Sequence, residues 1–253
     1  MKIDAEALVH PQERIDDLER NGLRMIQDPR AFRFGMDAVL LADFTAVKPR
    51  ETVVDLGTGT GILPVLLSQK QETACFHAFE IQADMADMAA RTMRLNGLEE
   101  RIFVHAADMR EAPALMGNGK ADAVVCNPPY GKQGNTLLNA ELPYALARHE
   151  ASITIREMAG VAAALLRNRG RLSTVFPAPR MLELCDALRG VRLEPKRIRM
   201  ICAKADRAPY LCLVEAMKNV KPALHWLPPL VVYYADGVES EEIRRIYHRS
   251  DAD

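Results

Sequence analysis

Asn127-Pro128-Pro129-Tyr130 follows directly on an apolar run, residues 121–126 (ADAVVC). Consecutive prolines cannot continue a strand and donate no backbone hydrogen bonds, so they hold a rigid loop with free carbonyl oxygens at the strand's C-terminal end. An amide side chain precedes this loop and an aromatic ring follows it. Together they fit a flat ring that bears an amino group: the oxygens accept from the NH2 while the tyrosine lies on the ring face.

A second constellation lies upstream, in residues 53–61 (VVDLGTGTG). Apolar residues run into Asp55, and Gly57, Thr58, Gly59 and Gly61 follow before a helix-forming stretch. Glycines let the backbone close on a ligand at a strand-to-helix turn, and the helix start beyond supplies unpaired N–H groups. A dinucleotide fingerprint, G-x-G-x-x-G/A begun at Gly57, would need Gly or Ala at 62, where Ile62 stands. The G-x-G-x-G register behind an acidic residue instead resembles that of methyltransferases using S-adenosylmethionine (SAM). Glu80, at the end of a second strand with Ile81 beside it, is placed to accept both ribose hydroxyls of an adenosine moiety. Asp108, followed by Met109, ends a third strand; in such proteins a carboxylate there usually meets the adenine amino group, and the other reading is a helix N-cap. Asp55 either meets the SAM amino group, directly or through water, or fixes the glycine loop.

These residues need a scaffold, and the hydrophobic pattern supplies one. Strands are expected at 52–56, 74–79, 101–105, 121–126 and 172–176, with helices at 61–69, 82–95 and 153–167; Asn96-Gly97 reads as a helix C-cap. Strands alternating with helices imply a doubly wound α/β fold around a mostly parallel sheet. All the candidate groups then fall at strand C-termini, where open α/β sheets place their ligands. The pattern changes after Gly190: residues 194–203 and 210–217 read as an antiparallel hairpin around KADRAP. Ahead of the sheet, a short helix is expected from Pro11, a short strand at 23–26, and a helix in the second half of 32–44. A last short helix starts near Ser240, where Ser-Glu-Glu is a plausible start. The expected organisation is an N-terminal extension (1–31), the main domain (32–220) and a tail packing on it (221–253).

Of the 253 residues, 49% are hydrophobic and 26% charged, which suits one domain with a sizeable core. The net charge of -1 gives no global attraction to nucleic acid, so any such contact needs a local patch. The five cysteines form no C-x-x-C pair and lie mostly in apolar runs, the pattern of reduced core thiols rather than metal ligands. No signal peptide or membrane-length apolar stretch is visible, and a cytoplasmic location is expected.

The Asn-Pro-Pro-Tyr loop resembles that of amino-methyltransferases. The whole chain is similar to the bacterial family of tRNA(Val) adenosine-37 N6-methyltransferases, particularly its Gram-positive branch. The segments that carry this are ERIDDLERNGLRMIQDP (13–29), FRFGMDAVLLADF (32–44), DLGTGTGILPVLL (55–67), NPPY (127–130), ARHE (147–150), AKADRAPYLCLVEAMK (203–218) and PPLVVYYADG (228–237). The resemblance implies a seven-stranded sheet ending in an antiparallel hairpin, SAM as methyl donor and an adenine in tRNA as acceptor. Asn127, Pro128, Pro129 and Tyr130 are then the catalytic loop, with Asn127 also bordering the cofactor. Phe34, Gly35 and Asp37 would line the cofactor side, although Gly35 stands where the branch carries serine. His149 and Glu150 either border the active site or cap and anchor a helix. No metal is implied.

Residues 187–221 hold nine basic residues against three acidic ones. Lys204 and Arg207 in the hairpin loop could grip phosphates, or the region is simply a solvated face. The rival activities are glutamine N5-methylation of a release factor, which uses the same loop on a protein amide, and DNA adenine methylation, for which no separate recognition domain is evident. A SAM-binding RNA chaperone without turnover and a nicotinamide oxidoreductase are the readings of other classes. The intact Asn127 loop argues against the first and Ile62 against the second.

Overall fold

The computed structural model describes residues 5–30, 35–128 and 153–248. Seven long strands form the central sheet: β3 (Thr52–Leu56), β4 (Cys75–Glu80), β5 (Ile102–Ala106), β6 (Ala121–Cys126), β7 (Leu166–Pro177), β8 (Leu193–Cys202) and β9 (Pro209–Lys218). From edge to edge they run β8-β9-β7-β6-β3-β4-β5. β3 to β7 are parallel, and β9 lies antiparallel between β7 and β8. This is the doubly wound sheet with a C-terminal hairpin that the sequence predicts. Two short strands, β10 (His225–Trp226) and β11 (Leu230–Val231), extend it by pairing parallel to β8. Their brevity, with Pro228 and Pro229 between them, hides them from any periodicity argument.

Side-chain alternation splits the core into two faces. On one, Val53, Phe76 and Ala123 pack against α1 (Met36–Phe44), α2 (Ile62–Ser68) and the terminal α7 (Glu241–Ile246). On the other, Val54, Phe79 and Val124 pack against α4 (Ala112–Met116), α5 (Ile155–Leu165) and α6 (Met181–Gly190). Every residue of α2 is buried, and its Pro64 sits in the first turn, where a missing N–H costs nothing.

The N-terminal expectation requires correction. No helix starts at Pro11; β1 (Arg14–Asp17) pairs antiparallel with β2 (Arg24–Gln27), which covers most of the short strand expected at 23–26. The hairpin wins because Ile15 and Ile26 both reach a small cluster with Met88 and Leu95 of α3 (Ala83–Leu95). Arg91 of α3 then ties back to Glu13 and to the Leu8 carbonyl. The fifth strand also begins earlier than expected: α5 ends at Leu165 and β7 starts at Leu166. The downstream end of α3 does follow the sequence, with Gly97 at a φ of 64°. Ser240 caps α7 by accepting from the Ile243 N–H. Among the described residues no helix is long and apolar enough to cross a membrane.

Candidate active site

β3 leads outward through β4 to β5, and the chain then returns to the other side of β3 as β6. The C-terminal ends of β3 and β6 therefore face each other at the topological switch point, where an open α/β sheet leaves a crevice. The Cys126 thiol reaches the Leu56 carbonyl at 3.2 Å and ties the two ends together. One end carries the glycine loop and the other carries Asn127.

The glycine loop is shaped by its backbone. Gly57, Gly59 and Gly61 all have positive φ (78°, 58° and 87°), a region that side-chain-bearing residues avoid. Space is a second constraint at Gly61, where a Cβ would overlap Met93 and lie 3.3 Å from Ala89. The N–H groups of Gly57 and Thr58 both donate to the Phe79 carbonyl at 2.9 Å. Gly59 N–H donates to Glu80 Oε2 at 2.9 Å, and Gln82 N–H donates to Glu80 Oε1 at 3.0 Å. Glu80 thus holds the loop while keeping further lone pairs on each oxygen. Ile81 next to it is exposed, and a Cβ at Gly57 would lie 3.3 Å from the Met109 methyl group.

Asp55 is the anomaly of this region. It is buried, and among the described residues neither carboxylate oxygen has a hydrogen-bond partner. Burial pushes its pKa from 3.8 up to about 7; the Glu80 carboxylate adds to the rise, and the neighbouring Thr58 hydroxyl opposes it. The loop amides of Gly57, Thr58 and Gly59 are taken by Phe79 and Glu80, so Asp55 is not what pins them. A buried acceptor pair left over beside a ligand-shaped loop fits a group that brings positive charge.

Asp108 turns inward on its own segment. It accepts from the Arg110 N–H at 2.9 Å, caps the following helical turn, and pairs with the Arg110 guanidinium. These contacts hold its carboxyl below the usual carboxylate range, the guanidinium hydrogen bond most of all.

At the other end, half-buried Asn127 donates from Nδ2 to Asp37 Oδ2 at 3.0 Å. A carboxylate only accepts, so this contact assigns the amide: its NH2 faces Asp37 and its oxygen occupies the other branch. Asp37 lies in the first turn of α1, and its Oδ1 accepts from the Ala38 N–H at 2.9 Å. Gly35, the N-cap of α1, has extended backbone and no side chain to cap with; a Cβ there would press within 2.7 Å of Asp37 Oδ1. Pro128 is buried directly after Asn127. Phe34, Pro129, Tyr130, His149 and Glu150 lie outside the described residues. The contact of Asp37 with Asn127 spans 90 positions, and no local pattern announces it.

The basic segment 187–221 is largely used within the fold. Arg189 pairs with Glu194, Arg199 with Glu242, and Arg197 with Glu215, also covering the Phe44 ring. Lys218 reaches the Ala163 and Leu166 carbonyls, and Lys196 reaches that of Lys221. Lys204 donates to the Ala235 carbonyl at 3.0 Å, while Arg207 is exposed with only a 3.9 Å approach to Asp206. Among the described residues no group of three or more His, Cys, Asp or Glu is arranged to hold a metal ion.

A glycine loop, strand-end acids and an amide-bearing loop, all at the switch point of this sheet, define a class I methyltransferase. Its architecture is shared with a predicted O-methyltransferase from Agrobacterium tumefaciens (TM-score 0.69, 22% identity, covering 86% of this chain and 98% of that one). It is also shared with the T. thermophilus 16S rRNA N2 G1207 methyltransferase, solved with AdoMet and guanosine (TM-score 0.57, 19% identity, 82% and 50%). Residues 35–191 match the methyltransferase small domain family. The tRNA1(Val) (adenine(37)-N6)-methyltransferase of Tolumonas auensis is 32% identical over 201 residues, 78% of this chain and 80% of that protein. The one from Porphyromonas gingivalis is 27% identical over 225 residues, 85% and 87%. The chain belongs to the methyltransferase small domain family and, within it, groups with the tRNA1(Val) (adenine(37)-N6)-methyltransferases.

Proposed function

We infer that this protein methylates N6 of an adenine in tRNA, adenosine 37 of a valine tRNA, with SAM as donor. The observation that carries the reading is the pairing of Asn127 with Asp37 at the end of β6, directly across the switch point from the glycine loop. The names of the relatives supply the acceptor.

The cofactor residues fit SAM. Gly57, Thr58, Gly59 and Gly61 give a surface that main chain can share with a ligand, and orphaned Asp55 offers a carboxylate to an ammonium group. Glu80 is assigned to the ribose hydroxyls, Ile81 and Met109 to the faces of the adenine, and Asp108 to its edge. Phe34 and Gly35 are assigned from the sequence to the cofactor side. When bound, SAM supplies an electrophilic methyl on a sulfonium.

The acceptor nitrogen is a poor nucleophile, because its lone pair is delocalised into the purine. The Asn127 amide oxygen and the Pro128 carbonyl accept its two N–H groups and hold the lone pair in line with the methyl. They also stabilise the positive charge that grows on nitrogen as the N–C bond forms and the S–C bond breaks. Asp37 acts through Asn127, fixing which face of the amide is presented. No strong base is required beforehand, since the amino proton leaves to solvent after transfer. Tyr130 is assigned from the sequence to stack on the base, which must leave its own stack to enter.

The test is transfer of labelled methyl from SAM to total tRNA of a strain lacking this gene, followed by nucleoside mass spectrometry. N6-methyladenosine is the expected product. Label in protein but not in RNA would overturn the reading in favour of glutamine methylation.

A further inference from the structure

The hairpin between β8 and β9 opens at the same end of the sheet as Asn127, because β8 runs in the direction of β7 and β6. Two tyrosines flank it there. Tyr210 lies at the start of β9 and is 40% exposed; Tyr233 follows β11 and is 37% exposed. The tail is pinned beside the hairpin, since Tyr233 N–H donates to the Ala203 carbonyl at 2.9 Å and Lys204 reaches Ala235. Both rings therefore sit on ordered backbone.

This aromatic surface is continuous with the acceptor site. The Tyr210 hydroxyl approaches the Met36 sulfur at 4.0 Å, and Met36 precedes Asp37, the partner of Asn127. Burial raises the Tyr210 hydroxyl pKa, and Tyr233 and Asp37 are near enough to add to it. Tyr234 is different: its hydroxyl accepts the Glu241 N–H and braces the tail. Among the described residues neither the Tyr210 nor the Tyr233 ring stacks on another ring or carries a cation.

The chemistry of the site says what this surface meets. An amino group reaches Asn127 only after its base is unstacked, which also exposes the flanking bases. Aromatic faces bind such bases regardless of identity, as single-strand RNA surfaces do. The nearby cations are few, because most of the basic side chains of 187–221 are tied up within the fold. We propose that Tyr210 and Tyr233 form a stacking platform for the nucleotides flanking the target base, so that the enzyme selects a single-stranded RNA loop by its exposed bases more than by its phosphates.

The proposal rests on the reading of the protein as an RNA methyltransferase, and the experiment separates the two. Tyr210→Ala, Tyr233→Ala and the corresponding Phe variants are compared with wild type on a valine tRNA transcript. KM for RNA, Kd for SAM and the melting temperature are measured for each. Loss of a stacked base predicts KM raised about tenfold or more in each Ala variant. The Phe variants should stay within about threefold of wild type, because the ring face and not the hydroxyl is used. SAM affinity and melting temperature should not move. Unchanged KM in the Ala variants, with wild type active, overturns the platform alone. Phe variants as impaired as Ala also overturn it, by assigning the effect to the hydroxyls, and so does an Ala variant that loses SAM affinity or folding in parallel. Wild type that methylates protein and not RNA overturns the underlying reading, and the platform with it.

Discussion

The loop after β3 is held by main chain, whereas the Asn127 end is held by side chains arriving from elements far apart in sequence. Gly57, Gly59 and Gly61 take their shape from positive φ angles and from amides bonded to Phe79 and Glu80, all within residues 55–82. Asn127 depends on Asp37, 90 positions away, and the surface beyond it depends on Tyr210 and Tyr233. A backbone-built end tolerates few substitutions at the loop itself. A side-chain-built end can change its orientation and its substrate contacts one residue at a time. The two ends should therefore fail separately when mutated.

Asn127→Ala should produce the largest separation. Transfer should fall about a hundred- to a thousandfold, the range for removing one group that stabilises developing charge. SAM affinity measured by calorimetry should be unchanged, and a joint loss would break the comparison. Gly61→Ala is the counterpart at the other end. Left-handed backbone plus the overlap with Met93 should cost about 2–4 kcal/mol, seen as a fall in melting temperature on the order of 5–10 °C. Gly59→Ala has space, with its nearest neighbour at 3.9 Å, and should cost only about 1–2 kcal/mol.

Asp37→Ala sharpens the distinction between orienting and binding. With the Asp37 carboxylate gone, the Asn127 amide loses the bond that turns its NH2 away from the acceptor, and kcat should drop about ten- to a hundredfold with KM for SAM unchanged. A rise in KM for SAM without a change in kcat would place Asp37 on the cofactor instead.

Asp55 gives a prediction in pH. Its folded pKa of about 7 exceeds its ordinary 3.8, so between these values the folded state holds a proton that the unfolded chain has released. The stability this contributes is complete below about pH 4 and is lost as pH rises through about 7. Asp55→Asn should accordingly raise the melting temperature of the ligand-free protein at pH 8, by about 5 °C or more, while weakening SAM binding. In wild type, SAM affinity should increase as pH passes from 6 to 8, and the variant should be flat. A stable variant with undiminished SAM affinity would remove Asp55 from the cofactor site. The smallest effect is expected from charge reversal at Lys204 and Arg207: RNA affinity at low salt should fall a few-fold, about tenfold at most, with SAM binding intact.

What the sequence disclosed follows the same division. The glycine register, Asp55, Glu80 and the Asn127 loop are local patterns, and alternation of strands with helices was enough to set them at strand C-termini. The second strand of the N-terminal hairpin was legible at 23–26, but its first strand read as a helix from Pro11, because the partners of Ile15 lie across β2 and on α3 and leave no trace in local periodicity. The excess of basic residues at 187–221 was legible as composition, but their carboxylate and carbonyl partners were not. The bond between Asp37 and Asn127 and the exposure of Tyr210 and Tyr233 are products of topology alone.

The most direct test of the two-ended site is SAM binding and single-turnover methyl transfer to tRNA, measured side by side for wild type, Asn127→Ala and Asp55→Asn at pH 8. Asn127→Ala should bind SAM like wild type and transfer almost nothing, while Asp55→Asn should bind SAM more weakly and recover transfer when SAM is saturating. Loss of SAM binding in Asn127→Ala, or near-normal transfer by it, would contradict the account.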